Sequence, residues 1–278
     1  MDYDKILSNI EKRVPESAKE TYIDDEGLKR CSDCNGRLEV MITLFGKTRK
    51  VGCICKCQQE AIMAEEEAIK KRDKMRRISE MRKSGFTDKT LMECTFEHDD
   101  GSQPKVLHIA KNYVENFDKM KEGGKGLLFY GGVGTGKTYA AASIANALID
   151  KGIPAMVTNF TRIANKLQEK FDKKQTYLDN LNKFDLLVLD DLAAERSTEY
   201  MQEIVYNVID SRYRAGLPMI ITTNLSIESI KKPANATDSR IYDRLLEKCF
   251  PVEVKGQSHR RKNIKAEYED MKGLLGLN

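Results

Sequence analysis

Gly126-Leu127-Leu128-Phe129-Tyr130-Gly131-Gly132-Val133-Gly134-Thr135-Gly136-Lys137-Thr138 sets an apolar run directly ahead of a glycine-rich loop, and the loop opens into an alanine-rich stretch beginning at Tyr139. Residues Gly131 to Thr138 fit the spacing G-x-x-x-x-G-K-[ST]. Glycines let the chain double back so that successive backbone N–H groups face one point. The helix that follows adds the positive end of its dipole, and together they make a cradle for phosphate. In such a loop the lysine reaches the β- and γ-phosphates of a nucleoside triphosphate, and the hydroxyl beside it ligates magnesium. Gly132, Val133, Gly134, Thr135, Gly136, Lys137, Thr138 and Tyr139 are therefore the candidate ATP-binding residues, with Thr138 also a magnesium ligand.

Further along, Leu186-Leu187-Val188-Leu189-Asp190-Asp191 is an apolar strand that ends in two carboxylates. A buried strand delivers such groups to the carboxyl edge of a sheet, where open α/β folds bind their ligands. Asp190 is the candidate to hold magnesium, and Asp191 the candidate to orient or deprotonate the attacking water. Met219-Ile220-Ile221-Thr222-Thr223-Asn224 is a second buried strand with a polar end, placing Asn224 to touch the γ-phosphate or the water. With Ile153–Thr158, Asp185–Leu189, Pro218–Thr223 and Phe250–Val254, the run Gly126–Tyr130 makes five strands, the first four each followed by a helical segment. That alternation predicts an α/β fold with a parallel five-stranded sheet covered on both faces.

Two arginine-bearing segments lie downstream. Arg240 and Arg244 are four apart and share a helical face. Either could project toward the ATP of a neighbouring subunit, or both could sit on a solvated helix in an ion-pair network centred on Asp243. Arg260, in Ser258-His259-Arg260-Arg261-Lys262, could contact nucleotide in its own subunit or belong to a surface basic patch.

Five of the seven cysteines fall between Cys31 and Cys57. Cys31-Ser32-Asp33-Cys34 is one knuckle, and Cys53-Ile54-Cys55-Lys56-Cys57 supplies the second half after an 18-residue interval. Paired short knuckles present four thiolates to tetrahedral zinc. Cys31, Cys34, Cys55 and Cys57 are the preferred set; Cys53 in place of Cys55 is the alternative, and an iron–sulfur cluster matches the spacing poorly. Leu38–Ile42 and Lys50–Ile54 are expected to pair as small strands beside the metal. From Gln58 to about Lys83 there is no Gly or Pro, and Glu65, Glu66 and Glu67 precede Lys70, Lys71, Arg72 and Lys74 at helical offsets. One long helix is expected there, broken at Ser84-Gly85. The expected organisation is a zinc-binding domain over 1–57, the long helix and a linker over 58–89, and an ATPase domain over 90–278.

The 278 residues are 40% hydrophobic and 32% charged, with a net charge of +4. That field is too weak to argue nucleic-acid binding by itself. No window approaches the roughly 18 apolar residues of a membrane span, and Met1 to Ile10 lack the order of a signal peptide. A soluble, cytoplasmic protein is expected.

Taken together these residues resemble the DnaC/DnaI-like replicative helicase loaders, AAA+ ATPases that share their ATPase domain with the IstB transposition helpers. The resemblance rests on Gly131–Thr138, Asp190-Asp191, Thr222-Thr223-Asn224, Arg240-Ile241-Tyr242-Asp243-Arg244-Leu245 and Ser258-His259-Arg260, and extends to the cysteine knuckles followed by Gln58-Gln59-Glu60. It implies that Arg244 is an arginine finger and Arg260 a second sensor, although His259 is less typical there. It also implies cofactors ATP, Mg2+ and Zn2+, and a loader that grips a replicative DNA helicase with its N-terminal domain. Single-stranded DNA would be held by an ATP-dependent homo-oligomer of ATPase domains. With 18 residues after Arg260, no helical lid is expected. An IstB-like helper of transposition is the alternative, which the zinc knuckles and long helix disfavour.

Overall fold

The computed structural model describes residues 20–44, 46–169, 174–193, 198–233, 235–258, 268 and 271–276. The chain divides into two compact units, Met1–Met75 and Arg76–Asn278. The division falls inside the long helix.

In the first unit, β1 (Thr21–Ile23) pairs antiparallel with β2 (Lys29–Cys31), and β3 (Glu39–Leu44) with β4 (Lys47–Gly52). The second hairpin overlaps the two stretches expected to pair: Met41 lies opposite Lys50, and Gly46 takes φ +79° in the turn. The pairing ends at Gly52, and Cys53 N donates to Leu38 O. This leaves Cys55 and Cys57 beyond the strand, at the start of helix α1 (Lys56–Gly85).

The second unit holds a parallel sheet in the order β6-β7-β8-β5-β9. Its strands are β5 (Gly126–Tyr130), β6 (Ala155–Asn159), β7 (Leu186–Leu192), β8 (Met219–Thr223) and β9 (Cys249–Glu253). Side-chain alternation along each strand divides the core in two. Leu127, Phe129, Val157, Leu186, Val188 and Ile220 pack against helices α2 (Pro104–Glu115) and α4 (Lys137–Asp150), with the short α3 (Phe117–Glu122) at the edge of this layer. Leu128, Leu187, Leu189, Met219 and Ile221 pack on the opposite side against α5 (Phe160–Glu169), α6 (Lys174–Leu181), α7 (Glu199–Arg214) and α9 (Ala236–Lys248). The short α8 (Ile227–Lys231) follows β8. This is the α/β architecture expected, with Gly126–Tyr130 matched at both ends and the other strand ends differing by at most three residues.

Arg212 of α7 is fully buried. It donates to Leu181 O, Asp185 O and Pro218 O, tying the entries of β7 and β8 to the helix layer. Burial lowers its pKa to about 10. Among the described residues no helix is long and apolar enough to cross a membrane.

The stretch after α1 is packed and not a loose linker. Phe86 bridges to Val157 on the edge strand β6, and Thr87 Oγ1 donates to Val157 O at 3.1 Å. A 3-10 turn, Lys89–Glu93, is capped by Asp88. Leu91, Met92, Cys94 and Phe96 lie against the core. Apolar residues at these positions need cover, which the helix α4 supplies.

Candidate functional site

The loop 131–136 turns back over the start of α4, whose N-cap, Gly136, has φ +100°. Glycine adopts such angles without the steric cost of a Cβ. At Gly134, with φ +76°, a Cβ would also run into Ser258 Oγ. Lys137 is 5% exposed and donates from Nζ to Gly131 O (3.0 Å), Gly132 O (2.6 Å) and Asn224 Oδ1 (2.8 Å). Asn224 Nδ2 lies 3.5 Å from Asp191 Oδ1. One line of polar contacts thus joins the loop lysine to the ends of β8 and β7.

Strand β7 delivers its two aspartates differently. Asp190 Oδ1 accepts from Thr138 Oγ1 at 2.7 Å and from Thr222 Oγ1 at 2.6 Å. Burial raises the pKa of this carboxyl, and the two hydroxyls partly offset the effect. In regular strand geometry Asp191 would face away from Asp190. Here the pairing of β7 with β8 shifts between Leu189 and Leu192, and Asp191 takes φ +58°. A bulge of this kind re-aims a side chain, and the left-handed angle costs a non-glycine residue about 1–3 kcal/mol. Asp191 N donates to Thr222 Oγ1 at 2.9 Å, and Asp191 lines the cavity together with Asn224. Thr222 therefore braces both aspartates. Its signal in the sequence is the pair of hydroxyls, Thr222 and Thr223, that ends an apolar strand.

A carboxylate held against a threonine hydroxyl at 2.7 Å is an oxygen donor set of the kind that magnesium takes, so Thr138 and Asp190 fit the expected ion.

The cavity measures 390 Å3, within the ~300–1,000 Å3 of typical ligand pockets. One wall is the loop and the start of α4. Residues 96–110 contribute the rest of the lining, apolar Phe96, Val106, Leu107 and Ala110 together with polar His98, Asp99, Asp100, Ser102 and Gln103, none of which the motifs in the sequence pointed to.

The arginines lie elsewhere. Arg244 Nη2 is 2.7 Å from Asp210 Oδ1 of α7, and its guanidinium sits over the rings of Tyr206 (4.8 Å) and Tyr213 (5.6 Å). The ionic partner of Arg244 is thus Asp210, and not the Asp243 of the alternative in which both arginines sit in one ion-pair network. Arg240, one turn earlier, is exposed. Neither is among the residues lining the cavity. Arg260 lies outside the described residues.

In the first unit the Sγ atoms of Cys31, Cys34, Cys55 and Cys57 all lie within 4.8 Å of one another. Cys31 is fully buried and Cys55 nearly so. The knuckle is shaped by Asn35, at φ +56°, whose N–H bonds Cys31 O, and by Cys31 N donating to Gly36 O. Backbone N–H donation from Cys57 is the main influence that lowers the Cys34 pKa to about 6, with Gly36 assisting. Stabilised thiolate in a four-sulfur cluster is the donor chemistry of a structural zinc site. Cys53 is outside the cluster, its Sγ 3.3 Å from Arg37 O.

Known proteins resemble this chain along most of its length. The replicative helicase loader DnaI of Bacillus subtilis is 26% identical over 266 residues, covering 90% of this chain and 85% of the loader. The replicative helicase loader DnaC of Buchnera aphidicola subsp. Schizaphis graminum is 25% identical over 251 residues, covering 87% and 89%. Among solved structures, a crystal structure of the DnaC helicase loader superposes with a TM-score of 0.52 at 28% identity, covering 60% of this chain and 100% of that one. The ATPase fold is therefore of the AAA+ type found in these loaders. The model of the family described as IstB-like ATP binding protein matches residues 43–267, which include the phosphate loop and the paired aspartates, and the chain belongs to that family.

Proposed function

We propose that the protein is an ATP-dependent DNA replication factor that loads a replicative helicase onto single-stranded DNA. The observation that carries its nucleotide chemistry is the convergence of Lys137, Thr138, Asp191 and Asn224 on one cavity, with Asp190 bonded to Thr138 beside it. Backbone N–H groups of residues 132–139 hold the phosphates. Lys137 exchanges its bond to Asn224 for oxygens of the β- and γ-phosphates. Thr138 and Asp190 would hold magnesium, which supplies positive charge against the triphosphate. Asp191 orients the attacking water, and Asn224 reads whether the γ-phosphate is in place.

Hydrolysis is completed between subunits in this reading. Arg244 would leave Asp210 to meet a neighbour's γ-phosphate, while Asp210 retains Arg214 at 2.8 Å, so the carboxylate is not left without a cation. Arg260 serves as the sensor within its own subunit. Zinc on Cys31, Cys34, Cys55 and Cys57 fastens domain 1–57, which grips the helicase. The segment 58–89 connects it to the ATPase domain, 90–278, whose ATP-bound oligomer holds single-stranded DNA.

The family match leaves a transposition helper as the second reading. Relatives named as helicase loaders align along most of the chain and favour the first. The test is helicase-dependent unwinding of a forked duplex on a circular single strand coated with binding protein. Wild-type chain with ATP should start unwinding and Lys137→Ala should not. Unwinding indifferent to the chain would refute the loader reading.

A further inference from the structure

Helix α4 buries an amide in its apolar face. Asn146 is 1% exposed among Ala141, Ala142, Ile144, Ala145 and Leu148. An apolar side chain would suit that position unless the hydrogen bonds of the amide do something. Asn146 Nδ2 donates to Leu91 O (2.9 Å) and Cys94 O (2.8 Å), as well as to Ala142 O (3.2 Å) within its own helix. About two turns nearer the phosphate loop, Tyr139 OH donates to Thr95 O at 2.8 Å. At the far end of α4, Asp150 pairs with Arg82. Residues 82–95 thus run antiparallel along the helix that follows the phosphate loop, fastened at its end, middle and start.

The next residues of this strap reach the cavity. Phe96 and His98 line it together with the phosphate loop. Thr95 Oγ1 and His98 Nδ1 are hydrogen-bonded at 3.2 Å, and Lys111 Nζ lies 5.9 Å from the centre of the Phe96 ring. Residues 94–98 belong to no helix or strand, so side-chain bonds to their carbonyls decide where they stand. A triphosphate seated on Lys137 leaves its base and ribose to the rest of the cavity, where Phe96 and His98 lie beside aliphatic Val106 and Leu107 and the carboxylates of Asp99 and Asp100.

We propose that Asn146 and Tyr139 are positioning residues for the nucleotide base: they hold the strap Leu91–His98 so that Phe96 and His98 form the base-facing wall. This rests on the nucleotide reading given above. Base contact would then depend on residues remote from the phosphates, and nucleotide would stiffen the strap as far as the last turn of α1.

Binding of ATP and of inorganic tripolyphosphate, each with magnesium, should be measured by calorimetry for wild type, Tyr139→Phe and Asn146→Leu. Each variant should bind ATP about tenfold more weakly and tripolyphosphate within about twofold of wild type. For Asn146→Leu, turnover at saturating ATP should be unchanged while KM rises. Tyr139→Phe removes a single hydroxyl and keeps the test valid if Asn146→Leu does not fold. Equal loss for both ligands, or unaltered ATP binding, overturns the proposal. A wild-type chain that binds neither ligand overturns the nucleotide reading itself, and the proposal with it.

Discussion

Lys137→Ala removes the mobile cation of the phosphate loop. The ammonium is nine-tenths or more buried and is held by Gly131 O, Gly132 O and Asn224 Oδ1, so it is already desolvated where the phosphates bind. Hydrogen bonds to charged groups contribute about 1.5–3 kcal/mol each. Lys137 gains two phosphate partners but gives up Asn224, so the net loss on truncation should be that of one such bond, about 1.5–3 kcal/mol, on the order of ten- to a hundredfold in Kd. Alanine is a good helix former, and Lys137 begins α4, so the fold should survive. Titration with a fluorescent ATP analogue, alongside circular dichroism, reads the effect. A variant that binds within about threefold of wild type would refute the assignment of Lys137 to the phosphates.

Chelation should release one zinc and unfold residues 20–57, leaving the thermal transition of the ATPase domain in place. Metal analysis should find zinc lost in Cys55→Ser and kept in Cys53→Ser; the reverse pattern would move the ligand set. Asp191→Asn should keep ATP affinity while turnover falls by ~10²–10⁴-fold, and an unchanged rate would place the water-orienting group elsewhere. Arg244→Ala should lose DNA-stimulated hydrolysis and ATP-dependent oligomerisation together, with activity partly restored on mixing with Asp191→Asn. It should also unfold more readily, because Asp210 and the two tyrosine rings lose their partner. If Arg240→Ala alone carries the hydrolysis defect, the finger is Arg240.

What could be read from sequence were features whose physical cause is local. The phosphate loop, the carboxylates ending β7 and the cysteine knuckles each depend on residues a few positions apart, and strand-helix alternation then fixes the sheet. The bulge at Asp191 was hidden because a strand pattern assumes regular alternation, whereas the register shift exists only against β8. The strap was hidden for a different reason. Its bonds join Leu91, Cys94 and Thr95 to side chains more than 40 residues away, and nothing in Cys94-Thr95-Phe96-Glu97-His98 repeats with helical or strand period. Likewise Arg244 has a nearby acid in its own helix, Asp243, but the fold offers it Asp210 on α7.

The central claim is that this ATPase serves a replicative helicase, and capture of the cognate helicase on the immobilised full-length chain tests it most directly. Capture should occur with ATP and without it, survive Lys137→Ala, and be lost in Cys55→Ser. Labelled single-stranded DNA should be retained with the complex only when ATP is present. A helicase that passes over the wild-type chain in both conditions would contradict the account.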